Sequence, residues 1–501
     1  MVGFKAPSTL SNGIYLDIHY LCTWQINYNP SYSTQECIAM MKVKIVILGL
    51  IPVFISSSLF LVASAYPEEE RSISERIVEI LKERGILKEE EYEELKQLVE
   101  KEKEEKATTP KVTFKRGFAI ETPDENFKLR LSGRLHTDFK SYGSSHPGNS
   151  TFYVRRARFC VEGTLYKYFD FKVESEFGKG TSGRLNDGYL NVRYFHQFQL
   201  KMGQYKQPFS LEELTPDNWI DFVERSLANN LVPSRDVGVM LHGDLFQEVI
   251  NYGIGLCNGY RINQSQDTDD HKDVVGRLIF SPFLRLNNRF LKGFHVGGSF
   301  TYGKQESDED EWWNKGEFKT AAGTQFLEFD DDVLHDGTRR RYGTELSWFL
   351  GPFSIKGEWM TLRMDDLWSE GQKEDFRADA GYISLSYFLT GEHQPFKKGV
   401  VQRVIPKKHF DPHKKTWGAW QLVARYSFLD TERNIFKEGF ADSKRYTDRA
   451  EAYTLGVNWY LNDMVRMMFN YVRTEFDEDI LYRNERIDSE DVFLGRFQLV
   501  W

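Results

Sequence analysis

Phe127-Lys-Leu-Arg-Leu-Ser-Gly-Arg-Leu-His-Thr-Asp-Phe-Lys140 alternates without a break. The odd positions are Phe127, Leu129, Leu131, Gly133, Leu135, Thr137 and Phe139; the even ones are Lys128, Arg130, Ser132, Arg134, His136, Asp138 and Lys140. Successive side chains of a strand point to opposite faces, so this run is a strand with one greasy and one polar face. A strand this long with two unlike faces fits a wall that has lipid on one side and water on the other.

The pattern recurs in about sixteen segments between 127 and 501. Phe169, Phe171, Val173 and Phe177 alternate with Asp170, Lys172, Glu174 and Glu176; Val465, Met467, Phe469 and Tyr471 alternate with Arg466, Met468 and Asn470. Most segments are long enough for a tilted strand to cross a bilayer. The connections alternate between tight (Lys167, Gly351-Pro352, Asn462-Asp463) and long (206–236, 304–340, 429–450). Short turns on one side and long loops on the other are the rhythm of an outer-membrane barrel. The connection 391–416 breaks it, being long on the short-turn side. The last strand, Gly495-Arg-Phe-Gln-Leu-Val-Trp501, ends on an aromatic residue. The expected fold is all-β: a 16-stranded antiparallel transmembrane β-barrel over 127–501, preceded by a short helical segment.

Upstream, Met41-Lys42-Val43-Lys44 opens an apolar run from Ile45 to Val62 that closes on Ala63-Ser64-Ala65. A basic start, an apolar stretch and a small-residue exit make a secretory signal over 41–65. Residues 1–40 then read as an extension ahead of the true start. Residues 66–106 place Ile77, Ile80 and Leu81, then Tyr92, Leu95, Leu98 and Val99, on helical stripes, with Gly85 as a natural stop. Through Thr109 this segment has fifteen Glu against nine Lys and Arg. It is expected to be helical, either a coiled coil or a solvated charged helix. Residues 107–126 read as a linker and lead-in.

Composition narrows the function classes. The chain of 501 residues is 28% charged and 15% aromatic, with a mean hydropathy of -0.51. A polytopic helical membrane protein would be far more apolar. A formal net charge of -9, with no basic patch among aromatics, is unlike a nucleic-acid binder. After the signal, Cys160 and Cys257 have no disulfide-framework or metal spacing, and no cofactor is expected. No histidine stands in a nucleophile motif, so an enzyme has little support. A soluble β-sandwich would need neither the signal nor the aromatic end. A non-conducting structural or adhesin barrel, tethered through 66–106, remains an alternative to a channel.

Several segments together resemble the phosphate-selective porin O and P family: Leu131-Ser-Gly-Arg-Leu-His-Thr-Asp138; Val154-Arg-Arg-Ala-Arg-Phe-Cys-Val-Glu-Gly-Thr-Leu165; Met202-Gly-Gln-Tyr-Lys-Gln-Pro-Phe-Ser-Leu-Glu-Glu-Leu-Thr215 followed by Val223-Glu-Arg225; Leu389-Thr-Gly-Glu392; Trp417-Gly-Ala-Trp420; and Tyr453-Thr-Leu-Gly-Val-Asn-Trp-Tyr460. The resemblance covers roughly 111–501. It implies a trimeric barrel in outer-membrane lipid and lipopolysaccharide, a third external loop (here about 206–236) folded inward, and passive diffusion of small anions such as phosphate. It also implies a basic path, to which Arg134, Arg155 and Arg156 correspond. Fixed positive charge selects anions where they lose water, and the guanidinium fork suits phosphate. Alternation puts Arg156 and Arg158 on the polar face and Arg155 outward, unless a bulge intervenes. Lys206 sits at the entry of the inward loop. Two departures weaken phosphate specificity: Glu213 stands where the phosphate-specific members carry lysine, and 304–340 is acidic (Glu306, Asp308 to Glu311, Asp330 to Asp332), with only Arg339, Arg340 and Arg341 at its end.

Overall fold

The computed structural model describes residues 73–114, 117–144, 146–178, 183–259, 270–306, 317–369 and 371–501. The signal and the extension ahead of it lie outside these residues. The chain divides into two units, Met1–Glu100 and Lys101–Trp501.

In the first unit, helix α1 spans Ile73–Glu83. It stops where Gly85 takes φ 65° and the Ile86 N–H closes on the Leu81 carbonyl at 3.0 Å, a left-handed glycine cap. Helix α2 runs from Glu89 to Thr108. Lys82 clasps it, bonding Glu89 at 2.7 Å and lying over the Tyr92 ring.

In the second unit, which takes in the last turns of α2, the sheet opens with a hairpin, β1 (Lys111–Phe114) and β2 (Phe118–Glu121), inside the stretch expected as a linker. The barrel strands follow. They are β3 (Phe127–Tyr142), β4 (Thr151–Leu165), β5 (Phe169–Glu176), β6 (Arg184–Phe195), β7 (Phe198–Lys206), β8 (Arg235–Leu245), β9 (Ile250–Cys257), β10 (Asp273–Phe280) and β11 (Phe294–Glu306). After a small hairpin, β12 (Phe318–Lys319) and β13 (Gln325–Leu327), come β14 (Leu334–Leu350), β15 (Phe353–Ser369) and β16 (Gln372–Phe388). A second small hairpin, β17 (Phe396–Lys397) and β18 (Val400–Val401), precedes β19 (Ala419–Thr431), β20 (Arg449–Tyr460), β21 (Val465–Tyr482) and β22 (Glu485–Val500).

The sheet has eighteen strands, of which β1 and β2 are an appendage; the other sixteen pair antiparallel with their neighbours. Pairing of β22 with β3, from Val492↔Tyr142 to Val500↔Arg134, closes the barrel. Closure leaves no long strand edge, the condition for a sheet in lipid. Trp501 finishes the seam: its N–H and C=O both bond Gly133, at 3.1 and 3.0 Å. Only glycine fits there, because a Cβ on Gly133 would stand 2.4 Å from the Trp501 ring. Below that point β2 takes over the same edge of β3, pairing Phe118↔Leu131 to Glu121↔Lys128.

The greasy face points outward, leaving Leu135, Phe159, Leu190, Leu200, Ile254, Ile383 and Leu455 exposed. The polar face points inward and is buried, as at His136, Asp138, Arg156, Glu174, Glu358, Arg425 and Arg496. Strand lengths differ around the wall. β5, β9 and β10 have 8 residues each, whereas β14, β15 and β16 have 17 each and β21 has 18. The tall strands overrun the expected segments (341–350, 353–363, 464–474) at the long-loop end. On β15 the inner positions there are Met360, Leu362 and Met364, all buried, and Arg363 faces outward. Above the lipid the two faces exchange character, so alternation in the membrane sense ends while the strand continues.

Candidate permeation site

The connection between β7 and β8, residues 207–234, turns into the barrel. Its first turn, α3 (Leu211–Leu214), is capped by Ser210 Oγ on the Glu213 N–H at 3.2 Å. Glu358 on β15 anchors that turn. Its carboxylate accepts from the Leu211 and Glu212 N–H groups, both at 2.8 Å, from Ser210 Oγ at 3.1 Å and from the Tyr382 hydroxyl at 2.9 Å. Beyond it, Glu212 bonds Arg425 at 2.9 Å, and Asp221 accepts from Lys356, Gln394 and Gln421. Arg466 donates to the Ile220 carbonyl at 3.0 Å, Gln498 to the Asn218 carbonyl at 3.1 Å, and the Val223 N–H to Asn470 at 2.7 Å. The loop is therefore fastened from β15 round to β22.

Above it an apolar cluster fills the long-loop half of the lumen on this side. Phe209, Val223, Leu227 and Leu231 of the inward loop pack with Phe318, Phe326, Leu327 and Phe329 of 317–333, with Ile435 and Phe440 of 432–448, and with inner positions of β15, β16 and β21. The 317–333 segment is pinned by Thr320 and Thr324 to Glu490. The expected arginines at the end of that connection are committed elsewhere: Arg339 bonds Asp273 and the Gly259 carbonyl, Arg340 bonds Asp365, and Arg341 donates to the Leu231 carbonyl. Residues 307–316, with most of the acidic run, lie outside the described residues.

The opposite wall, β3 to β8, carries stacked charges. Near the short-turn end Arg130 meets Glu162 at 2.9 Å and Arg193 meets Asp170 at 2.8 Å. Midway Lys172 and Arg235 share Asp187, both at 2.6 Å. At the level of the loop, Asp217 faces Arg156 at 2.8 Å, Arg158 at 3.0 Å, Arg225 at 2.9 Å and Arg134 at 3.9 Å. Burial alone would raise the Asp217 carboxyl, but Arg156, Arg158 and Arg225 hold it well below the usual carboxylate range.

All five candidate residues are thus in the lumen, and each has a carboxylate partner. Arg134 and Arg158 converge on Glu174 (2.8 and 3.2 Å), and Arg158 also bonds Glu176 at 2.6 Å. Arg155 comes inward because β4 bulges: His136 pairs with Arg156 and Thr137 with Val154, so Arg155 is the extra residue. It bonds Glu224 at 2.6 Å. A bulge re-aims one side chain against the alternation. Lys206 meets Glu213 at 3.1 Å, and Arg225 meets the same carboxylate at 3.2 Å. Sequence reasoning named Glu174, Glu176 and Glu213 but assigned none of them to an arginine or lysine, and it did not single out Asp217 or Glu224. Glu174 and Glu176 were available from parity on β5; Asp217, Glu213 and Glu224 lie on a loop without a period. Cys160 and Cys257 are both free.

Around the constriction nine cations (Arg134, Arg155, Arg156, Arg158, Lys172, Lys201, Lys206, Arg225, Arg235) face six carboxylates (Glu174, Glu176, Asp187, Glu213, Asp217, Glu224). A water-filled passage beside this wall would carry small polar solutes past an excess of positive charge.

Comparison with known proteins agrees. Residues 129–501 match the family described as phosphate-selective porin O and P. The chain is 26% identical over 432 residues to Porin O of Pseudomonas aeruginosa, covering 78% of this chain and 92% of that one. It is 24% identical over 350 residues to an uncharacterized protein of Caulobacter vibrioides, covering 66% and 64%. A similar solved structure is an anion-selective porin from Comamonas acidovorans, at 12% identity and a TM-score of 0.46, covering 75% of this chain and 100% of that one. A family match that begins at the first barrel strand and runs to the last residue leaves one reading of descent: the chain belongs to the phosphate-selective porin O and P family and is an outer-membrane channel for small solutes.

Proposed function

We propose that the channel prefers small hydrophilic anions and carries phosphate as one of several. The observation that carries this is the surplus of three cations at the constriction, where the carboxylates together, Asp217 and Glu213 among them, neutralise most of the charge but not all of it. Each arginine is tied to a carboxylate, which braces the wall and leaves a moderate net field rather than a bare guanidinium trap. Glu213, between Lys206 and Arg225, lowers that field further and speaks against tight phosphate binding. We extend the reading to a homotrimer in outer-membrane lipid and lipopolysaccharide, with the low wall of β5 to β10 turned toward the symmetry axis. The leader 41–65 is taken as cleaved, and 66–106 as a periplasmic helical segment.

The test is the zero-current potential of purified protein in a planar bilayer under a potassium chloride gradient. A potential of the sign set by chloride supports the proposal; a potassium-preferring potential overturns it. Absence of conductance would turn the reading to a structural barrel. Blue-native electrophoresis at three times the monomer mass would support the trimer.

A further inference from the structure

A chamber lies on the short-turn side of the inward loop. The connection 389–418 does not stay at the rim. Its hairpin β17–β18 rises into the lumen, where the Gly399 carbonyl accepts from Arg277 at 2.7 Å, Phe396 stacks on His295 with centroids 4.1 Å apart, and Gln394 bonds Asp221 at 2.8 Å. Between this hairpin, Leu214 of the inward loop and the inner wall of β7 to β10 there is a cavity of about 230 Å³.

Its chemistry is two-sided. Leu214, Met240, Ile279, Val400 and the ring of Tyr252 give apolar walls. The polar part of the lining holds one carboxylate, Asp244, with His242, whose Nε2 lies 2.8 Å from Asn191 Oδ1; the uncommitted positive charge is a lysine. Lys398, at the hairpin tip with φ 51°, reaches the chamber from one side and has no hydrogen-bond or ion-pair partner among the described residues. The one guanidinium in the wall, Arg277, is already spent: it grips Glu345 at 2.8 and 2.7 Å as well as Gly399.

We propose that this chamber is a binding station for small organic anions, carboxylates that carry an apolar body. Inorganic phosphate needs several converging N–H donors, preferably a free guanidinium fork, and the chamber offers neither. A lysine ammonium beside apolar walls suits a carboxylate whose hydrocarbon part rests on Met240, Ile279 and Val400 while its charge turns to Lys398. The volume, below the roughly 300–1,000 Å³ of drug-sized pockets, limits the occupant to a small acid. The inference rests on the anion-preferring reading, because the solute reaches the chamber past the cations around Asp217.

The experiment is block of chloride current through the full chain in planar bilayers, with benzoate, acetate and inorganic phosphate as probes. Benzoate is expected to block at a concentration about tenfold lower than acetate or phosphate. Lys398→Gln is expected to weaken the benzoate block about tenfold, and Val400→Thr to narrow the gap between benzoate and acetate. Channel openings in the same membrane report that each variant has assembled. Equal block by benzoate and acetate, or a benzoate block indifferent to Lys398→Gln, overturns the chamber. A potassium-preferring zero-current potential overturns the anion reading instead, so the two failures are separable.

Discussion

Asp217 gathers Arg156, Arg158 and Arg225 within 3.0 Å, and the field at the constriction turns on that one carboxylate. Asp217→Asn should raise the chloride-over-potassium permeability ratio, read as a larger zero-current potential, because it removes one of only six opposing charges. The Arg496–Asp138 pair has a different character. It is bidentate at 2.8 and 2.7 Å with side chains almost fully buried. Arg496→Met would strand Asp138 and is expected to lower stability by about 3–5 kcal/mol, measured as a fall in the urea midpoint of the detergent-solubilised barrel. At this scale the sequence was legible wherever a residue obeyed the period of a strand. Arg134, Arg156 and Arg158 were placed by alternation. Arg155 escaped it, because one extra residue in β4 reverses the side to which it points, and no local pattern in Val154-Arg-Arg-Ala marks the bulge.

The inward loop is held at its start by one carboxylate. Glu358 takes four donors, two of them backbone amides of α3. In Glu358→Gln the amide group turns an N–H₂ toward donors, so part of that set loses its acceptor. The expected result is a noisier open-channel current, with the ion preference keeping its sign. Asp217 ties the same loop to β4, and its pH dependence has a definite sign. A carboxyl held below its ordinary value stabilises the latched state above that value and loses the contribution only as pH falls through the lowered one. The Asp217 contribution to current noise, taken as the difference between the native channel and Asp217→Asn, should therefore stay flat as pH drops to about 4, the usual carboxylate midpoint, and shrink only in stronger acid. The strands themselves were legible, but their upper ends were not. Alternation identifies a wall between lipid and water, and above the lipid β15 buries Met360, Leu362 and Met364 while Arg363 faces out. The hairpin β1–β2 was missed for a related reason: four-residue strands are too short to establish a period.

For the molecule as a whole, sixteen two-faced segments were enough to give a closed barrel, because an odd edge cannot be left in lipid. What fills the barrel was not readable. The apolar cluster brings together the inward loop, 317–333 and 432–448, which are far apart in sequence and share no repeat. Phe326, fully buried at its centre, is the position to probe. Phe326→Ala should cost about 3–5 kcal/mol, read as a lower thermal midpoint, and should widen the passage, read as a higher single-channel conductance. A cluster of this kind takes up lumen on the β15, β16 and β21 side and leaves the charged wall of β3 to β8 for polar solutes.

The β1–β2 hairpin shares an edge of β3 with the final strand, β2 holding positions 128–131 and β22 holding 134–142. Only residues 122–126 separate β2 from β3, so their pairing is local, whereas β22 must return across the whole barrel to reach the same strand. β2 therefore works as an end-stop: the closing strand can slide along β3 in steps of two without turning its greasy face inward, and the hairpin blocks the first such step. The circumference of the barrel is set by where that slide halts. A chain lacking 111–121 would close at more than one offset, and a single sharp conductance level would break up into several.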